Sequence, residues 1–176
     1  MEMLVYLVGN NLQEIVAEVE KVVTYVGARN SITVADIKEV VSDTKVDSIF
    51  ELTDSIGKRD LGKSLRNLNT ILRDGEAPLM VLAMLTRHFR QLWRVKELCD
   101  KRLPPKEIGK TAGINPYFIN GIMEQALNYR ITEFKEIFER LFATDQALKT
   151  SGGKSVSLMV CLVMDICGKR AGRRRE

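Results

Sequence analysis

The sequence predicts an all-α protein, and three of its features carry that prediction. Apolar residues recur at three- and four-residue intervals in one segment after another, the spacing that gathers them on one face of a helix. Starting and stopping residues stand at the ends of these segments, with Asp60, Pro78 and Thr132 at beginnings and Gly27, Gly57, Gly75 and Gly113 at ends. Outside them, no run of four or more residues alternates apolar with polar as a half-buried strand would. With 176 residues, 45% of them hydrophobic, the chain can bury a substantial core, as one large helical domain or two small ones.

Leu4, Val5, Leu7 and Val8 before Gly9 read as the last turns of a helix that starts ahead of residue 1, so the chain is expected to be part of a longer protein. Next, Leu12, Ile15, Val16, Val19, Val22, Val23 and Val26 form one amphipathic stripe, and Gly27 suits its stop because glycine enters the left-handed region without a Cβ clash. A shorter helix is predicted over residues 31–42, with Thr33 as N-cap and Asp36 three residues on, a carboxylate version of the capping box. Residues 42–47 (SDTKVD) are polar and turn-rich and mark a domain boundary. Asp47 is read as the cap of a helix that carries Ile49, Phe50, Leu52 and Ile56 and ends at Gly57. Asp60 opens the next, with Leu61, Leu65, Leu68 and Leu72 on its face and Asp74-Gly75 at its close. Pro78 sits in the first turn of a long helix, where its missing N–H costs nothing, and the face runs through Leu82, Leu85, Phe89 and Leu92 toward Leu98. Pro104-Pro105 ends it. A short helix over residues 105–112, a turn at Gly113 and a helix over residues 116–129 follow. Thr132 is read as the cap of a stripe of Phe134, Ile137, Phe138, Leu141, Phe142 and Leu148, and a last helix covers residues 155–167.

The net charge of +4 belongs to the tail. Residues 169–176 (KRAGRRRE) hold five of the 27 Lys and Arg and one of the 23 Asp and Glu, which leaves 22 of each sign in the body. Overall charge therefore gives no support for a phosphate-binding body, and only a local cluster could supply one. The tail reads as basic and disordered, with a weak, salt-sensitive attraction to polyanions. Cys99, Cys161 and Cys167 are odd in number and lie in apolar helical patterns rather than at disulfide or metal spacing, so they read as reduced core thiols. The longest apolar run, residues 156–166, is interrupted by Ser157 and Asp165 and falls short of the roughly 20 residues a membrane span needs. The N-terminus MEMLVYLVGNN lacks the basic and long apolar regions of a signal peptide. The expected compartment is the cytoplasm.

No constellation for chemistry stands out. Gly153-Lys154-Ser155 resembles the end of a P-loop, but that motif needs a glycine at position 148, which is Leu, and a strand where a helix is predicted. A flexible turn is the favoured reading. His88, the only histidine, neighbours Arg87 and Arg90 with no Ser or Cys nucleophile nearby in sequence, and reads as a partly exposed structural residue. Carboxylates such as Glu18, Glu20, Glu136 and Glu139 are spread over caps and solvated faces, with no acid pair or metal cluster. The expectation is a protein that is not an enzyme, takes no cofactor or metal, and works by binding macromolecules.

Two stretches carry a binding hypothesis. Residues 106–127 (KEIGKTAGINPYFINGIMEQAL) have the layout of a helix-turn-helix, in which Asn115, Tyr117, Asn120 and Gln125 could touch or stack on bases. Residues 111–129 contain no Lys or Arg to grip phosphates, which favours a structural hairpin and leaves a helix-turn-helix regulator as the alternative function. On the long helix, Arg87, Arg90 and Arg94 are three and four apart and share a face, with Trp93 interleaved. A solvated face is the plain reading, and contact with an acidic partner or a nucleic-acid backbone the sharper one.

Several segments recur in a recognisable order. Gly9-Asn10-Asn11-Leu12 leads into Glu18-Val19-Glu20-Lys21-Val22, then Ile32-Thr33-Val34 with Asp36-Ile37. Phe50-Glu51-Leu52-Thr53-Asp54-Ser55-Ile56 follows with Arg59-Asp60, then Gly75-Glu76-Ala77-Pro78, Arg87-His88-Phe89-Arg90, Lys96-Glu97-Leu98 and Ala147-Leu148-Lys149. As an ordered set these resemble the delta subunit of the bacterial DNA polymerase III clamp loader, whose GNDL, ELEKL, ITxEDI and FxLxDAI runs they match, with Asn11 where Asp is usual. Each motif alone is a helix cap plus an apolar face; the order, over nearly the whole chain, carries the resemblance.

The resemblance implies three segments: residues 1–43 as the end of a small AAA+-like helical lid domain, residues 46–168 as a collar (oligomerisation) domain of about six to seven helices, and residues 169–176 as the tail. In that family the collars of five subunits pack into a ring, while the amino-terminal domain of delta engages and opens the sliding clamp. It implies a non-catalytic scaffold that assembles with delta-prime and gamma/tau-type subunits near primer-template DNA and meets the clamp only through that amino-terminal domain. The parent holoenzyme is a DNA-directed DNA polymerase, and delta is not expected to hydrolyse ATP. No catalytic residue is carried over. Arg87, Arg90 and Arg94 are candidates for contact with DNA or a partner, and Tyr117 and Phe118 for base stacking, against the reading in which Phe118 is core and Tyr117 caps it.

Overall fold

A computed structural model describes residues 12–29, 31–33, 36, 40, 44–150 and 153–168. Among them eight helices are delimited: α1 (Leu12–Val26), α2 (Thr44–Gly57), α3 (Leu61–Arg73), α4 (Pro78–Asp100), α5 (Pro105–Ala112), α6 (Ile119–Leu127), α7 (Ile131–Thr150) and α8 (Ser155–Gly168). No strand occurs among the described residues, so the all-α prediction holds. None of the described helices is long and apolar enough to cross a membrane. The helix end before Gly9, most of the helix predicted over residues 31–42, and the basic tail lie outside the described residues. The chain divides into two compact units, residues 1–50 and 51–176.

In the first unit, α1 buries Glu18, Val22 and Val26, while Leu12, Val16 and Val23 are exposed. The apolar stripe read from sequence is wider than the face that is covered, because the buried arc centres on Val22 and these three lie at its edge. Gly27 closes α1 with φ 60°. The predicted capping pair forms: the Asp36 carboxylate accepts from the Thr33 N–H (2.8 Å) and hydroxyl (2.7 Å), and the Asp36 N–H donates to Thr33 Oγ1 at 3.3 Å. The Thr33 bonds, joined by Arg29, hold the Asp36 carboxyl below its ordinary value.

The second unit is built around α4, which packs against α5, α6, α7 and α8; α8 also packs on α3 and α7. Val81, Leu85, Phe89, Leu92 and Val95 are fully buried along it at helical spacing, and Pro78 occupies its first turn as predicted. Asp60 caps α3 by accepting from the Lys63 N–H at 2.9 Å, and Gly113 closes α5 with φ 67°. Three starts differ from the sequence reading. α2 begins at Thr44, so Asp47 lies in its first turn rather than capping it. α6 begins at Ile119 rather than 116, because the Asn115 side chain and carbonyl accept from the Tyr117 and Phe118 N–H groups and fix a turn there. α7 begins at Ile131, and Glu133 rather than Thr132 does the capping, its carboxylate accepting from the Arg130 N–H at 2.8 Å.

Arg59 ties this unit together. It leaves α2 in the left-handed region, φ 57°, and sends its guanidinium inward, where only 4% of the side chain stays exposed. Nε donates to the Asn128 carbonyl (3.0 Å), Nη1 to the Ile166 carbonyl (2.9 Å) and Nη2 to Glu133 Oε1 (2.7 Å), with the guanidinium 4.0 Å from the centre of the Tyr129 ring. The Tyr129 hydroxyl donates to the Ile56 carbonyl and the Asn128 amide to the Gly57 carbonyl, so the two turns bond in both directions. Burial pushes the Tyr129 phenol well above its usual range. Burial would also raise Glu133, but the Arg130 N–H and the Arg59 charge outweigh it and hold that carboxyl below its ordinary value.

His88 is buried, not partly exposed. It faces inward because it shares the buried arc of α4 with Leu85, Leu92 and Val95 rather than the arc of its basic neighbours. It packs edge-on against Phe89, and its Nε2 has no hydrogen-bond partner among the described residues. Burial pushes its pKa down from 6.5 to about 4, against the weaker opposing influence of Gln125 and Asp54.

Two outcomes follow. Arg59→Ala removes the buried guanidinium with its three hydrogen bonds and leaves the half-buried Glu133 only the exposed Arg130, 3.5 Å away, as a cation. It should cost about 3 kcal/mol in urea unfolding, with Arg59→Lys, which lacks the three-way fork, recovering only part; a loss below about 1 kcal/mol contradicts this role. The folded state refuses the His88 proton that the unfolded chain accepts near 6.5, so stability is full above that pH and falls toward 4. The loss between pH 7.5 and 5 should be about 2 kcal/mol and should largely disappear in His88→Leu, read as urea midpoints at both pH values. An equal loss in both proteins assigns the slope to another group.

Candidate functional site

The apolar faces of α4 and α7 lie together, with the Trp93 ring stacked on Phe134 (6.0 Å, 7°) and tilted against Phe138 (5.4 Å). Beside this contact a groove of about 580 Å³ opens between the two helices. Leu79, Leu82, Ala83, Thr86, Arg87 and Arg90 of α4 form one wall, and Phe138, Leu141, Phe142 and Asp145 of α7 the other. Phe142 is 67% exposed, although the sequence stripe placed it in the core. It follows Leu141 directly and so points about 100° around the helix, which carries it off the buried arc and onto the rim. Asp145 pairs with Lys149 at 2.6 Å.

The arginine cluster read from spacing is divided by the fold. Arg87, half-buried, and Arg90, exposed, line the groove, whereas Arg94 donates to the Thr111 carbonyl at 2.6 Å, near the end of α5. A guanidinium there satisfies a carbonyl that a helix end leaves unpaired. Tyr117 and Phe118 sit in the turn between α5 and α6 and meet edge to face at 5.0 Å. Tyr117 is 56% exposed and Phe118 half-buried, and neither lines the groove.

The helix-turn-helix reading finds no support. Residues 113–118 separate α5 from α6, a longer turn than the usual three or four residues, and α6 carries no Lys or Arg. Gln125, read as a possible base contact, is buried and donates to Asp54 Oδ1 at 3.0 Å. It lies so close to α2 that a Cβ on Gly57 would overlap its side chain. The P-loop-like segment is a turn between α7 and α8, with φ 92° at Gly153 and helices on both sides. Of the three cysteines, only Cys167 is core; Cys99 is half-buried and Cys161 exposed on the outer arc of α8, against the reading of all three as buried. Burial pushes the Cys99 and Cys167 thiols up. No group of three His, Cys, Asp or Glu among the described residues could hold a metal ion.

Sequence reasoning missed the rim of the groove. Leu79, Phe142 and Asp145 became visible only once α4 and α7 were placed side by side, and the one signal that could have found them is that the apolar arc of α7 is wider than one packed face needs.

Comparison with known proteins agrees with this architecture. Residues 46–166 match the family model of the DNA polymerase III delta subunit, C-terminal domain. The DNA polymerase III subunit delta of Bacillus subtilis (strain 168) is 30% identical over 163 residues, covering 93% of this chain and 47% of that protein. The probable DNA polymerase III subunit delta of Aquifex aeolicus (strain VF5) is 28% identical over 120 residues, 68% of this chain and 34% of that one. The solved Bacillus subtilis DNA clamp loader delta protein superposes with a TM-score of 0.65 at 27% identity, over 94% of this chain and 49% of its own length. The chain thus spans less than half the length of the curated relatives it matches. It belongs to the DNA polymerase III delta subunit family, whose C-terminal domain it carries over residues 46–166.

Proposed function

We propose that this chain is a non-catalytic scaffold of a clamp loader. Residues 46–168 act as the collar that holds the assembly together, and residues 1–43 as the end of the lid domain. The observation that carries this reading is the match of residues 46–166 to the delta C-terminal domain. The similarity over 94% of the chain to a solved clamp loader delta protein supports it. So does the charge of the body, balanced at 22 of each sign before the basic tail, which suits assembly with protein subunits better than broad adhesion to DNA.

In this reading the partners are delta-prime and gamma/tau-type subunits, the compartment is the cytoplasm, and ATP hydrolysis falls to other subunits. Arg87, Arg90 and Arg94 are candidates for partner or DNA contact, and the exposed Tyr117 with Phe118 for stacking on primer-template DNA.

Mixing the folded chain with delta-prime and gamma/tau-type subunits should give a co-eluting complex on size exclusion; a folded chain that elutes alone with every one of them refutes the scaffold. In the assembled loader, Tyr117→Ala should weaken primer-template binding by about 1–3 kcal/mol if that ring stacks on a base. Unchanged affinity in a DNA titration removes it as a contact.

A further inference from the structure

The geometry points to the α4–α7 groove as the seat of an amphipathic helix from a neighbouring loader subunit, one that carries apolar anchors and, about a turn beyond them, a carboxylate. This rests on the scaffold reading above and names the surface that would do the holding.

The α4 wall is a regular seam. Leu79, Leu82, Ala83, Thr86, Arg87 and Arg90 follow one another by steps of three, one, three, one and three, the pattern with which one helix presents a continuous face to another. From first to last the seam is about 17 Å long, about three helical turns, which is the scale of helix-in-groove recognition. Its chemistry is graded along that length, with aliphatic side chains at the start and guanidinium groups at the end.

Two further observations set the character of the occupant. Phe142 on the opposite wall is 67% exposed and Leu79 is 41% exposed, so the groove offers an aromatic and an aliphatic anchor that nothing in this chain's described residues covers. Exposed anchors of this kind at a groove mark protein contact surfaces. Arg90 is exposed and makes no ion pair among the described residues, whereas Asp145 across the groove is matched by Lys149. A carboxylate is the group that completes such a wall, since a guanidinium fits it with two parallel hydrogen bonds. A nucleic-acid strand fits less well, because six of the ten lining residues are apolar and Asp145 would face its phosphates.

The test compares the wild-type chain with Phe142→Glu and Arg90→Glu for binding to purified delta-prime and gamma/tau-type subunits, with Lys135→Ala, on the same helix but away from the groove, as control. Circular dichroism confirms folding, and Phe142→Ala stands in for Phe142→Glu should the glutamate disturb the fold. Each groove substitution should weaken assembly by at least about tenfold, with Lys135→Ala within about twofold of wild type. Arg90→Glu should in addition make the remaining binding less sensitive to salt. If wild type assembles and both groove variants assemble equally well, the groove is not the seat and the scaffold reading stands. Failure of the wild type to assemble removes both. If Arg90→Glu assembles normally but loses primer-template DNA, the occupant is nucleic acid and the proposal is overturned.

Discussion

A buried guanidinium has few acceptable surroundings, and Arg59 has found one that determines how the 51–176 unit closes. Its charge must be matched and its N–H groups bonded, or burial would cost several kcal/mol. The acceptors come from Asn128, Glu133 and Ile166, all far from Arg59 in sequence and drawn from two separate segments, the α6–α7 turn and the end of α8. Because the guanidinium is planar and rigid, it satisfies all three only when the α2–α3 turn, the α6–α7 turn and the end of α8 meet at one point. The left-handed backbone at Arg59 is the local cost of aiming the side chain there. Tyr129 closes the arrangement from above, its ring against the cation and its hydroxyl on the Ile56 carbonyl, and it meets Phe89 of α4 edge-on at 5.4 Å. The polar hub and the apolar axis are thus one structure, joined through a single ring.

This has consequences for what remains outside. With the termini of α2, α6 and α8 fixed at the hub, α4 is fully committed on the arc that carries Val81, Leu85, Phe89, Leu92 and Val95. The neighbouring arc packs ring against ring on α7 where Trp93 meets Phe134 and Phe138. Toward the start of α4 the two helices share a groove instead of a packed seam, and the apolar side chains there line its walls. The uncovered apolar surface of this unit is therefore a product of how the core closes. Rotating α7 to bury Phe142 would draw Phe134 and Leu141, both within 2% of full burial, out of the core.

The sequence carried the helices because their signals are local. Period, glycine stops, Pro78 and the Asp60 cap depend on residues within a turn or two of each other, and the structure has each where its spacing put it. The misplaced starts at Thr44, Ile119 and Ile131 arose where two local rules competed, as when Asn115 held a turn that helix periodicity would have absorbed. Burial at the edges of stripes was not legible. Val16, Val23 and Phe142 satisfy the same periodicity as their buried neighbours, and only the arrangement of other helices decides which edge is covered. His88 shows the same limit in reverse, a polar residue between two arginines that turns inward because the core arc of α4 passes through position 88. Arg59 stood within a recognised motif, yet nothing local could say that its partners lay 69, 74 and 107 residues away.

The arginines of α4 show why a charge pattern alone cannot assign a surface. Arg87, Arg90 and Arg94 are equivalent by spacing, and a helical wheel puts them on one face. The fold gives them different duties, since α5 ends beside Arg94 and offers the Thr111 carbonyl, while Arg90 makes no ion pair among the described residues. A cation that caps a helix end is already satisfied, and recruiting it to a partner would first require breaking a 2.6 Å bond. An exposed guanidinium on the rim of an apolar groove exchanges only water for a new acceptor, and the groove lowers the local dielectric once it is filled, which strengthens the bond formed. Of three residues that look alike in sequence, Arg90, which has no ion pair among the described residues, is the one that association engages at least cost.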